Sequence, residues 1–137
     1  RDCRRRPLRL LWQRVYWMFP NHIEDEGWSV VQTPDRGFAL TGRARTVVPN
    51  FFNPFVLKLD STGNRQWILT VPGSIADDEG RSIAVNVQGN ILAAGFTRSF
   101  GASPTMGSDI YAAEVNQAGS VPSPAMWNIR RSPSCPS

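Results

Sequence analysis

Histidine occurs once in the 137 residues, at His22, and cysteine twice, at Cys3 and Cys135. A Ser-His-Asp triad therefore has a single candidate base, and a His-rich metal site has too few ligands. With no Cys-x-x-Cys pair, a zinc framework is excluded. No stretch of about 18 apolar residues exists, which excludes a transmembrane helix. Of the 15 basic residues, only Lys58 is not arginine. No Gly-x-x-x-x-Gly-Lys-Ser/Thr run is present, so the phosphate-binding loop of that type is absent. Charged residues make up only 19% of the chain, too few for a highly charged disordered tail.

Punctuation, by contrast, is abundant. The chain has 11 glycines and 11 prolines, a frequency that argues against an all-helical bundle. The length suits one ordinary domain, or a piece of a larger one.

The formal net charge of +4 is unevenly placed. Residues 1–14 carry Arg1, Arg4, Arg5, Arg6, Arg9 and Arg14 against Asp2. The last residues add Arg130 and Arg131. Between them, residues 15–129 hold seven bases against ten acids, a net of −3. The positive charge belongs to the ends, which read as solvated tails over 1–9 and 130–137. An Arg-rich arm on a phosphate backbone is the competing reading, and the acidic middle argues against nucleic acid as partner. The run 8–19 follows three arginines as the apolar part of a signal peptide would, but Gln13 and Arg14 interrupt it. Its apolar residues also fall at helical spacing.

An internal repeat favours a third reading of that stretch, as a strand. Glu26-Gly27-Trp28-Ser29-Val30 matches Glu79-Gly80-Arg81-Ser82-Ile83 at an offset of 53. The offset persists through Phe38-Ala39-Leu40-Thr41-Gly42 against Ile91-Leu92-Ala93-Ala94-Gly95. It then becomes 56, aligning Leu57-Lys58-Leu59-Asp60-Ser61-Thr62-Gly63 with Ala113-Glu114-Val115-Asn116-Gln117-Ala118-Gly119. Trp12-Gln13-Arg14-Val15 aligns with Trp67-Ile68-Leu69-Thr70, and Trp127-Asn128-Ile129 looks like the same segment again. Trp12, Trp67 and Trp127 thus share one framework position and are expected in the core.

Within one copy the periodicity is that of strands. Residues 28–33 alternate, and Pro34-Asp35-Arg36-Gly37 predicts a turn whose glycine takes the open φ. Strands are expected at 38–42, 55–59 and 65–71, with a hairpin turn at 60–64 capped by Asp60. Four short antiparallel strands in about 53 residues is the size of one propeller blade.

The set Asp-Glu-Gly-x-Ser-Val (25–30), Phe-Ala-Leu-Thr-Gly (38–42) and Phe-Val-Leu-Lys-Leu-Asp-x-x-Gly-Asn-x-x-Trp (55–67) resembles the blade repeats of secreted bacterial and archaeal β-propeller proteins. The resemblance covers about residues 10–129 and implies an all-β fold. It places one blade at 23–72, a second at 76–129 and a lone strand of a preceding or neighbouring blade at 10–16. The second copy departs from the pattern where Asn116 and Ser120 stand and where Val121-Pro122-Ser123-Pro124 delays Trp127. The family is mostly of unassigned function and brings no catalytic residues. Two blades cannot close a propeller of about four to eight. The chain is therefore expected to be a fragment of a longer protein or one member of a ring of copies.

Candidate chemistry is sparse. The clusters Glu24-Asp25-Glu26 and Asp77-Asp78-Glu79 offer oxygen ligands for Ca²⁺ but lack a full binding-loop spacing. As turn caps before the first strand of each unit they need no metal. Recurrence in both units also argues against a glycosidase acid–base pair. His22 sits in a Pro-Asn-His turn, where a solvated loop residue is the default. Cys3 and Cys135 either tie the termini together, as suits an exported protein, or are free thiols.

Trp17 and Trp28 lie off the framework. With Arg43, Arg45 and Arg81 they form a candidate sugar-stacking surface, or else pack between the units. No catalytic residue, metal site or cofactor is expected. The leading function is a non-catalytic scaffold or interaction module of an exported protein. The alternative is a carbohydrate-binding lectin whose ring is completed by oligomerisation.

Overall fold

The computed structural model describes residues 9–70, 75–99 and 107–120. Four strands, β1 (His22–Gln32), β2 (Phe38–Thr46), β3 (Phe52–Leu59) and β4 (Arg65–Thr70), form one antiparallel sheet in sequence order. A second antiparallel sheet contains β5 (Glu79–Val85), β6 (Ile91–Thr97) and β7 (Asp109–Val115), again in sequence order. The described residues are all-β, with no helix, and so none long and apolar enough to cross a membrane. A fourth strand for the second sheet, Trp127, both cysteines and the tail 130–137 lie outside the described residues, as does all but Arg9 of the 1–9 tail.

The two sheets correspond position by position. Each first strand carries a bulge, between Gly27 and Ser29 and between Gly80 and Ser82. There the second strand must approach closely. A Cβ on Gly42 would lie 1.8 Å from the Glu26 carbonyl oxygen, and one on Gly95 would lie 1.8 Å from that of Glu79. Only glycine fits such a contact without moving a strand.

The turns correspond as well. Asp60 Oδ1 accepts the amides of Thr62 and Asn64, both at 2.9 Å. Asn116 Oδ1 accepts those of Ala118 at 3.1 Å and Ser120 at 2.9 Å. An amide oxygen replaces a carboxylate one, so the exchange of Asp for Asn leaves the turn geometry standing. The turn after β1 departs from expectation. Gly37 does not take the open φ; Arg36 does, at 66°, where the second sheet has Gly89 at 83°. Gly37 is required for space instead, since a Cβ there would meet the Leu59 carbonyl oxygen at 2.2 Å.

β1 also starts earlier than its alternation suggests. The cluster Glu24-Asp25-Glu26 lies within the strand rather than in a turn before it, and His22 is the first residue of β1. Charged residues sit there because the register brings opposite charges face to face, Glu24 to Arg45 and Glu26 to Arg43.

Alternation gives each sheet two faces. On the first sheet, one face gathers Phe55, Leu57 and Leu59, with Phe38 and Leu40 beside them. Met18, Tyr16 and Phe19 cover it from the N-terminal side. The other face presents Ala39 and Val56, which join Ile83, Ile91 and Ala93 of the second sheet in one buried cluster. The second sheet thus packs its inner face on the outer face of the first.

Residues 9–16 form no ladder with any described strand. They run alongside the 60–64 turn. Trp12 Cε3 lies 2.8 Å from where a Gly63 Cβ would be, as Trp67 Cδ2 lies 2.9 Å from that of Gly119. Tyr16 Oη donates to the Gly63 carbonyl at 2.6 Å, and Trp67 Nε1 to that of Gln117 at 3.0 Å. Trp12, 36% exposed, and the half-buried Trp67 lie over these turns rather than deep in the core, because each covers a surface turn of the next sheet.

The one lysine, Lys58, is fully buried on β3. Its Nζ donates to Asp35 Oδ2 at 2.8 Å, Gln66 Oε1 at 2.9 Å and the Leu59 carbonyl at 3.0 Å. Three acceptors match the three ammonium protons, which is what lets a charge stay in a dry position. At the corresponding place Glu114 accepts from Asn86 and Asn90, both at 2.8 Å. The sign of the charge is reversed, but the linkage between turn and third strand is kept.

Candidate functional site

The bulges shift the register near the starts of β1 and β5, on the side of the first sheet that meets the second. There the side chains of Glu24, Glu26, Trp28, Arg43, Arg45, Glu79 and Arg81 converge. Arg43 is the hub. Its Nε and Nη2 donate to the two oxygens of Glu26 at 3.1 and 2.9 Å, and its Nη1 donates to Glu79 Oε1 at 2.6 Å. The contact with Glu79 crosses from the first sheet to the second. Arg81 completes the pair on Glu79, with Nε 2.8 Å from Oε2. Arg45 Nη2 donates to Glu24 Oε2 at 2.8 Å.

Aromatic rings lie between these guanidiniums. Arg81 stands 3.8 Å from the centroid of the Trp28 ring and Arg43 stands 5.4 Å from it. Arg43 and Arg45 stack on Phe52 at 3.9 and 4.8 Å. Arg81 and Arg98 approach Phe96 at 5.5 and 5.4 Å. The result is one continuous ladder, Arg45–Phe52–Arg43–Trp28–Arg81–Phe96–Arg98, spanning both sheets. Planar guanidiniums suit it because they donate to carboxylates in their plane while stacking on rings with their faces. That dual use gives the arginines of the two sheets a chemical reason beyond composition.

The electrostatics are those of tight pairing. Hydrogen bonds from Arg43, assisted by Trp28 Nε1 at 3.0 Å, hold the Glu26 carboxyl well below the usual carboxylate range, at about 2. Glu26 and then Glu79 push the Arg43 guanidinium above its ordinary value.

Of the five residues expected to form a ligand surface, Trp28, Arg43, Arg45 and Arg81 come together. Trp17 does not: it is 62% exposed, and its carbonyl accepts from Arg65 at 2.9 Å on the N-terminal side of the first sheet. Trp28, 37% exposed, has Arg81 stacked on its ring and its indole N–H used by Glu26. A sugar ring stacking on that face would have to displace the guanidinium. Phe52, Phe96 and Arg98 belong to the ladder as well, and no motif of the sequence singles them out. The available signal is that Arg43 and Arg45 on β2, and Phe96 and Arg98 on β6, stand at matching alternate positions 53 residues apart.

The remaining acids face main chain. Asp77 Oδ1 accepts the Phe52 amide at 3.0 Å. Asp78 Oδ1 accepts Thr97 Oγ1 and the Arg98 amide at 2.8 Å, and the Ser99 amide at 3.1 Å. Asp25 Oδ2 accepts the Met18 amide at 3.0 Å and lies 3.8 Å from His22 Nε2. Among the described residues no group of three or more His, Cys, Asp or Glu side chains is placed to hold a metal ion. His22 Nδ1 donates to the Phe19 carbonyl at 2.8 Å, which ties the start of β1 to the segment before it. No family model matches this chain, and no curated protein matches it.

Proposed function

We propose that the chain is a non-catalytic module of β-propeller-like blades, serving as a scaffold or interaction surface of an exported protein. The observation that carries this reading is the engagement of all six clustered carboxylates. Glu24, Glu26 and Glu79 are held by arginines, and Asp25, Asp77 and Asp78 by main-chain amides. Catalytic acids and bases need a free face toward a substrate and a pKa near the working pH. Glu26, held at about 2 by its salt bridge, has the opposite character.

The blade interpretation draws on the matching bulges, turns and Trp-over-turn contacts, and on the sheet-on-sheet stacking. Export draws on the resemblance to secreted proteins and on the pair of cysteines. The test is a panel of chromogenic glycosides and esters with the full chain. No turnover above the blank is expected, while Glu26→Gln and Glu79→Gln lower the melting temperature. Turnover that disappears in either variant would overturn the reading.

A further inference from the structure

The outer face of the first sheet is buried, yet the same positions on the second sheet are open. Ala39 is 0% exposed and its counterpart Leu92 is 38% exposed. Thr41, Val56 and Lys58 are buried, whereas Ala94 and Ala112 are exposed and Glu114 is half-exposed. Ser82, Ala84, Leu92, Ala94, Ala112 and Glu114 line a shallow apolar depression of about 410 Å³. Like the face that the second sheet covers, it carries small and aliphatic side chains around one charged residue, Glu114 where the first sheet has Lys58.

The inner face of the first sheet is incompletely covered too. Val30 is 61% exposed, where its counterpart Ile83 is 8% exposed. Phe38 and Leu40 are half-buried, where Ile91 and Ala93 are buried. Leu10, Leu11 and Val15 of the covering segment point outward. One chain thus presents an uncovered outer face at one end and a partly covered inner face at the other. These are the two halves of the interface that already joins its own sheets.

We propose that the outer face of β5–β7 docks a second copy of this chain, head to tail, through that copy's Val30, Phe38 and Leu40 face. The inference rests on the reading of the sheets as successive units of one stack. Residues 10–16 of the second copy then run beside β7, where β4 lies beside β3 in the first sheet. Such contacts are heterologous: one end of each chain meets the other end of the next.

Sedimentation of the full chain over a concentration series tests this. The mass of the wild type is expected to rise beyond that of two chains. Ala112→Arg removes the outer face and Val30→Arg removes the inner one, so each alone is expected to stay monomeric. An equimolar mixture of the two retains one intact interface and is expected to stop at a heterodimer. Val87→Arg, on the exposed turn between β5 and β6, is the control and assembles like the wild type. Should Ala112→Arg fail to fold, Ser82→Arg blocks the same face. A wild type that remains monomeric overturns the proposal, as does assembly that survives Val30→Arg, the mark of a symmetric contact. If residues 121–137 of the same chain cover the face, the wild type is monomeric and Ala112→Arg lowers its melting temperature, which also overturns it. The module reading fails separately, on turnover.

Discussion

Arg43 on β2 reaches across from one sheet to the other and places Nη1 2.6 Å from Oε1 of the buried Glu79 on β5. It does so while chelating Glu26 on its own sheet. One guanidinium thereby fixes both the bulged start of β1 and the seat of β5. Removing it leaves a buried carboxylate with one partner fewer and takes one of the two guanidiniums from each of Phe52 and Trp28.

Arg43→Ala is therefore expected to cost about 2 kcal/mol, the scale of a lost charge-assisted hydrogen-bond set in a partly buried position. Urea denaturation measures it. Arg43→Lys is expected to recover less than half of the loss, because an ammonium cannot chelate Glu26, reach Glu79 and stack at once. A cost near zero would mean that the sheets are held by apolar contact alone.

Lys58→Met replaces a fully buried, three-acceptor ammonium by an apolar chain of similar length. Asp35, half-exposed, regains water, but the Leu59 carbonyl and Gln66 do not do so freely. A loss of about 2 kcal/mol is expected, less than the roughly 3–5 kcal/mol of a broken fully buried pair, because the exposed Asp35 is not left as a dry charge. Calorimetric melting of the variant beside Asp35→Asn checks it. Asp35→Asn should be the milder change, since it keeps an acceptor for Nζ.

Acid should destabilise the fold in a defined window. The Lys58 ammonium holds the Asp35 carboxyl at about 2, and the Asn64 amide leads the contacts that hold Asp60 at about 2. Glu26 is held at about 2 by Arg43. All three lie below their unfolded values of about 4. Depressed carboxyls contribute stability above the unfolded pKa and lose it as pH falls through the folded one. Melting temperature is thus expected to change little on their account between pH 7 and 5, and to fall from pH 4 toward 2. Asp60→Asn copies the turn of Asn116 and removes one of the three acids, so its curve should fall less steeply. An unchanged slope would contradict the assignment.

Arg36 carries a left-handed φ that costs an L-residue roughly 1 kcal/mol relative to glycine. Arg36→Gly is expected to stabilise the fold by up to about that amount, less what glycine loses in unfolded-chain entropy. Thermal melting gives the sign directly.

Much of this was legible in the sequence, for identifiable reasons. Turn chemistry is local, so Asp60 and the glycine at Gly63 announced their hairpin. The offset of 53 carried over to strand, bulge and register because the same residue types recur at the same spacing. Side chains that act across the sheets were not legible. Lys58 lies on the side of β3 opposite Leu57 and Leu59, and only the arrival of the second sheet and Asp35 makes that side an interior. Phe52 and Phe96 lie on different sheets, and their link through Trp28 and two arginines has no sequence period. Charge in β1 looked like a turn because carboxylates are rare in strands, and the pairing arginines stand on another strand. At Gly37 an excluded Cβ calls for glycine as strongly as a left-handed φ would, and the residue type alone does not distinguish the two.

The stacking of the second sheet on the outer face of the first underlies the shared apolar cluster, the Arg43–Glu79 contact and the docking of a second copy. Nuclear Overhauser contacts in the isotope-labelled protein test it most directly. Contacts are expected from Ala39 and Val56 to Ile83, Ile91 and Ala93, and from the Thr41 side chain to the Gly80 α-protons. Cross-strand contacts within each sheet without any of those between the sheets would contradict the account.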